Sequence, residues 1–121
     1  MDLSIIASSF ENTGYCFNLC VDEFNKYAKE NSLDIHLELN LLTISNFSVS
    51  IESTNAMYET LLKRKDGLYD VYLFDGSWVN HFCPYFIDLN EHLDKDHINM
   101  YNENIISQLG RCNNNKLIGL V

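Results

Sequence analysis

The stretch Gly67–Asn80, reading G-L-Y-D-V-Y-L-F-D-G-S-W-V-N, constrains the fold more than any other. Within it Tyr69–Phe74 is apolar on both faces, Val71 and Leu73 on one and Tyr72 and Phe74 on the other, broken only by Asp70. A strand of that kind suits a mostly parallel sheet with helices on both sides. The run stops at Asp75-Gly76-Ser77, small and polar residues able to turn the chain and cap a following helix. In an open α/β sheet ligands collect at the carboxyl ends of the strands. Asp75, Ser77 and Trp78 therefore stand where a binding site is expected.

The other segments extend this pattern. Leu3–Ala7 is a short apolar run, which predicts a first buried strand over Ser4–Ala7. Phe17, Cys20, Val21, Phe24 and Tyr27 recur at helical spacing, predicting a helix from near Gly14 to about Glu30, ended by Asn31 in the left-handed conformation. Over Ile35–Leu41, leucines alternate with His36, Glu38 and Asn40, the pattern of a strand near a sheet edge. Ile51, Met57, Tyr58, Leu61 and Leu62 mark a second helix to about Lys65, closed by Gly67. The order β-α-β-α-β, with right-handed crossovers, predicts a three-layer α/β lobe with a mostly parallel sheet in which the first and third strands are adjacent.

Beyond Trp78 the period weakens. Val79–Phe82 completes a short helix that Pro84 interrupts. Phe86-Ile87-Asp88-Leu89 reads as a packed connection. Ile98, Tyr101, Ile105 and Leu109 are the apolar positions of one further helix, and Gly110–Val121 reads as a β-hairpin around an Asn-rich turn. Residues 1–121 form one compact unit on this reading. Since the chain stops inside an apolar strand, that unit is expected to be part of a larger fold.

Composition narrows the functional classes. A formal charge of −9 over 121 residues argues against a nucleic-acid or anionic-membrane surface, which needs clustered Lys and Arg. The one basic run, Lys63-Arg64-Lys65, falls at a helix C-terminus and complements the helix dipole. No apolar segment approaches the roughly 20 residues that cross a bilayer, and Met1-Asp2-Leu3-Ser4 does not read as a signal peptide. Of the four cysteines, Cys16 and Cys20 share a helix face and read as core. Cys83 and Cys112 lie in irregular segments and could meet as a disulfide, although sequence does not fix the connectivity. Asn46-Phe47-Ser48 satisfies the N-glycosylation sequon.

Taken in order, Tyr69–Asp75, Trp78, Phe86–Leu89, Leu93-Asp94-Lys95-Asp96, the Tyr101–Ser107 helix and Asn115–Val121 resemble the first lobe of the type II periplasmic-binding-protein fold. The likeness is to the extracellular solute-binding proteins that deliver sugars to ABC transporters. It implies a small-molecule solute, a sugar, as ligand, a second lobe absent from this chain, and an extracellular or membrane-tethered location. A membrane transporter, or a receptor's transmembrane domain as in class C G-protein-coupled receptors, would be the partner.

For a sugar, physics asks for an aromatic face against C–H groups, with carboxylates and amides to hydrogen-bond the hydroxyls. Ser9, Phe10 and Glu11 after the first strand, with Asp75, Ser77 and Trp78 after the third, supply those types. The plainer alternative makes Asp75 a helix N-cap and Trp78 a core residue. No G-x-G-x-x-G, P-loop or metal-ligand spacing is present, so no cofactor or metal is expected. The histidines His36, His81, His92 and His97 are scattered. His81 near Cys83 has no orienting acid for thiol catalysis, and the chain reads as non-catalytic. The competing class is a protein-interaction domain of receiver or flavodoxin type. A receiver wants paired acids after the first strand, and Ser8-Ser9 occupies that place.

Overall fold

The computed structural model describes residues 1–8, 14–42, 51–65 and 67–121, and the sequon at Asn46 lies outside them. These residues gather into two compact units, Met1–Phe74 and Asp75–Val121.

The first unit is an α/β fold in chain order β1 (Asp2–Ser8), α1 (Gly14–Glu30), β2 (His36–Leu42), α2 (Ile51–Arg64) and β3 (Val71–Tyr72). The three strands form an all-parallel sheet in the order β2-β1-β3. Asp2 pairs with His36 through to Ser8 with Leu42, and Ile5 and Ile6 pair with Val71 and Tyr72. The expected adjacency of first and third strands is present.

The centre of the sheet differs from expectation. Ile5, Ile6 and Ala7 are consecutive and all buried, so both faces of β1 are covered. Tyr69–Phe74 instead contributes an edge strand only two residues long, with Val71 39% and Leu73 41% exposed. The residue that breaks its apolar run also anchors it. The Asp70 carboxylate accepts the Ser4 N–H at 2.9 Å, and the Asp70 and Leu73 N–H groups donate to the Ser4 and Ile6 carbonyls.

β2 alternates half-buried and exposed residues, as an edge strand should. Its outward backbone at Leu37 is satisfied by Asn25 of α1, whose Oδ1 accepts the Leu37 N–H at 2.7 Å and whose Nδ2 donates to the Leu37 carbonyl at 2.9 Å. At Leu37 the edge is thereby closed to pairing with another strand.

α1 inserts Phe17, Val21, Phe24 and Ala28, spaced at four, three and four residues, into the unit. The inner face therefore excludes Cys16 and Cys20, which are exposed rather than core. Ser32 (φ 56°), not Asn31, takes the left-handed conformation after the helix, and Asn31 Nδ2 donates back to the Tyr27 carbonyl.

The second unit is built of short pieces. A 3-10 turn at Gly76–Trp78 leads into α3 (Val79–Phe82), and Pro84 sits in the next turn, Cys83–Tyr85. The single helix expected across Ile98–Leu109 is two, α4 (Lys95–Ile98) and α5 (Glu103–Leu109). Asn102 divides them by accepting the Asn104 and Ile105 N–H groups as an N-cap. The break turns Ile106 inward and leaves Ile105 and Leu109 largely exposed.

Ile98, Ile106 and Leu117 form the core of this unit, packed by Leu89, Leu93, Tyr101 and Leu120. The C-terminal hairpin reduces to one antiparallel bridge, Arg111 with Leu117, around a turn with Asn115 at φ 67°. Cys83 and Cys112 are joined as a disulfide, the pairing the sequence left open.

Candidate functional site

A parallel sheet ordered β2-β1-β3 has a property that a simple run of strands lacks. From β1 the chain crosses to one neighbour through α1, then returns past β1 through α2 to the other. The connections leaving β1 and β2 thus run in opposite directions across the sheet, which opens a crevice outside the carboxyl end of β1. This is the topological switch point of the unit.

α2 connects parallel strands, so it runs against them and its first turns lie toward their carboxyl ends. On those turns three polar side chains face inward. Thr54 is 3%, Asn55 1% and Tyr58 0% exposed. Thr54 Oγ1, Asn55 Nδ2 and the Tyr58 hydroxyl are buried without a hydrogen-bond partner. Each such group costs about 1–3 kcal/mol when left unpaired. Native proteins pair the large majority of buried polar atoms, and three orphans within five residues of one helix are a concentration that calls for a physical cause.

Tyr58 shows where the group points. Its ring meets Tyr72 of β3 edge to face at 5.5 Å, and Tyr72 meets Tyr69 at 6.0 Å. Burial pushes the Tyr58 phenol up to about 12. The Ser8 hydroxyl lies close enough to oppose that shift in part, while the neighbouring Tyr72 and Tyr69 add to it. Ser8 closes β1, two residues beyond the Ile6–Tyr72 pair. The phenol is thus directed toward the carboxyl end of the central strand. It is neutral at physiological pH and able both to donate and to accept.

Sequence reasoning placed Tyr58 in the apolar stripe of this helix but passed over Thr54 and Asn55. The signal was available: both fall in the gap of the stripe between Ile51 and Tyr58, where helical spacing returns to the buried face.

Of the residues expected at the site, Ser9, Phe10 and Glu11 lie outside the described residues. The others open the second unit. Asp75 accepts the Ser77 N–H at 2.8 Å and caps the 3-10 turn, and Ser77 is exposed. Trp78 is half-buried, its ring 4.5 Å from His81 at an interplanar angle of 31° and 6.2 Å from Phe82. The capping role weighed for Asp75 is therefore present, while Trp78 packs on His81 and Phe82 without being a core residue. Cys83, bound to Cys112, is not a thiol nucleophile. Among the described residues no group of three or more His, Cys, Asp or Glu could hold a metal ion, and no helix is long and apolar enough to cross a membrane.

Compared with known proteins, the chain matches no family profile, no curated protein and no solved structure.

Proposed function

We propose that this chain is a non-catalytic solute-binding lobe whose ligand is a small polar molecule of the carbohydrate class. The observation that carries the reading is the reversal of connection direction at the carboxyl end of β1, created by the order β2-β1-β3. The finer architecture proposed with it is a three-layer α-β-α lobe like the first lobe of extracellular solute-binding proteins, completed by a second lobe. Burial of both faces of β1 supports the layering. The Cys83–Cys112 disulfide supports an extracellular or membrane-tethered location, because such bonds persist in oxidising compartments. A transporter or a receptor's membrane domain is the partner proposed with that location.

Isothermal titration calorimetry of the protein against glucose, galactose, maltose and cellobiose tests the reading. Saturable heats with at least one of them are expected, weak if one lobe leaves half the ligand in water. No heat with any saccharide, together with capture of a protein partner by the same chain, would replace this reading with that of an interaction domain.

A further inference from the structure

On the proposed solute-binding reading, we infer that Thr54, Asn55 and Tyr58 of α2 are the polar contacts for the ligand, and that this ligand carries no charge at the end they recognise.

The first part rests on the three orphaned atoms. Thr54 Oγ1 and Asn55 Nδ2 are closed to solvent and unpaired, and the equally buried Tyr58 hydroxyl has only the Ser8 hydroxyl near it, without a well-formed hydrogen bond. They occupy positions 54, 55 and 58, the one-turn spacing that puts side chains on a common helix face. That face is directed at the carboxyl end of β1, as the nearness of Ser8 to the Tyr58 phenol shows. One unpaired polar atom is readily a packing compromise. Three on one face, at the edge where α/β sheets bind ligands, form a set of donors and acceptors that a ligand can match. The set comprises two hydroxyls and an amide N–H, with the Ser8 hydroxyl beside them. Hydroxyl and ether oxygens of a sugar are complementary to all of these.

The second part rests on where the charges are. The described basic residues of this unit are Lys26, Lys29, His36, Lys63, Arg64 and Lys65. The lysines and arginine lie in the last two turns of α1 or at the end of α2, and His36 begins β2. Helices that run against the strands carry their ends to the amino edge of the sheet, so each of these cations is at the edge opposite the orphans. Lys63 is also paired with Glu59 at 3.2 Å. An anionic ligand at the carboxyl edge would find no cationic side chain of this unit and only the N-terminal dipole of α2, worth about 0.3–1 kcal/mol, against the larger cost of desolvating a charge. The raised Tyr58 ionisation keeps the phenol from adding a charge of its own.

Two readouts on Thr54→Val and Tyr58→Phe test the inference, with Asn55→Leu as a third variant. Removing an orphaned polar atom relieves its desolvation cost, so Thr54→Val and Tyr58→Phe are each expected to raise the melting temperature without ligand, by about 2–8 °C, whereas Asn55→Leu, which also removes the amide oxygen, is read by affinity alone. All three variants are expected to bind the best saccharide from the calorimetric panel about 5- to 100-fold more weakly. Glucose 6-phosphate and glucuronate are expected not to compete with it. A lowered melting temperature for Thr54→Val and Tyr58→Phe would show that these atoms are paired, and would overturn the inference. Unchanged saccharide affinity in folded variants would overturn it while leaving the solute-binding reading intact. Equal binding of the charged sugars would overturn the statement about charge. If the parent binds no saccharide, the solute-binding reading fails and this inference fails with it.

Discussion

Single side chains decide several features of this protein, and Tyr58 is the clearest. Its phenol, buried at 0% exposure, ionises near 12 instead of 10. A folded-state value above the unfolded one means that the folded chain holds the proton more tightly. The associated stability is fully present below pH 10 and is lost as pH rises through 12. A difference of two units corresponds to about 2–3 kcal/mol. Chemical denaturation at pH 9 and pH 12 should therefore show a larger loss for the parent than for Tyr58→Phe, the comparison cancelling the other tyrosines. Equal losses would mean that the phenol titrates normally. Asp88 acts in the opposite sense at the acid end. Partial burial would raise its carboxyl, but the Asn90 and Leu117 N–H groups, at 3.0 and 3.2 Å, outweigh that and hold it below the usual carboxylate range. Its contribution is complete at neutral pH and lost as pH falls through the lowered value.

At the scale of elements, glycine contacts show which junctions are tight. A Cβ on Gly110 would stand 2.2 Å from the Gly119 carbonyl oxygen, a backbone atom with no freedom to move aside. Gly110 also joins α5 to the last segment, its N–H donating to Ile106 and its carbonyl accepting from Ile118. Gly110→Ala is expected to destabilise the second unit by about 1–3 kcal/mol. The checking measurement is urea unfolding followed by Trp78 fluorescence, and an unchanged midpoint would place the junction elsewhere. The elements also show what the sequence could and could not tell. Both long helices and the edge strand β2 followed from periodicity, because an amphipathic repeat fixes an element regardless of its neighbours. Which strand is central did not. An apolar run such as Tyr69–Phe74 looks the same whether its faces are covered or, as with Val71 and Leu73, left partly open. The consecutive burial of Ile5, Ile6 and Ala7 depends on tertiary packing that a five-residue run does not reveal. The division at Asn102 was legible as an N-cap followed by Glu103, but the apolar spacing on either side masked it. The candidate site was legible only in outline: its edge of the sheet followed from the strand order, whereas inward-facing Thr54 and Asn55 were not singled out, because a polar side chain does not register in an apolar stripe.

For the whole molecule, the two units draw their stability from different sources. The first rests on a sheet with helices packed against it; the second, made of short turns and four- to seven-residue helices, depends on a covalent tie. Cys83 and Cys112 are 29 residues apart in sequence. Closing a loop of that length in the unfolded chain stabilises the folded one by about 3–4 kcal/mol. Reduction, or Cys83→Ser with Cys112→Ser, should therefore unfold Asp75–Val121 at lower denaturant than Met1–Phe74. Hydrogen exchange read separately for the two units would record this, and equal loss of protection in both would show that they stand or fall together. The position of β1 has a further consequence, in time. The first strand to be made is the one that both others must join, and its pairings await residues as late as Val71 and Tyr72. At about 5–20 residues per second of synthesis, β1 spends roughly 3–13 seconds with at least one bare edge before β3 emerges. During that interval the most buried strand of the sheet is open to pairing with another nascent chain.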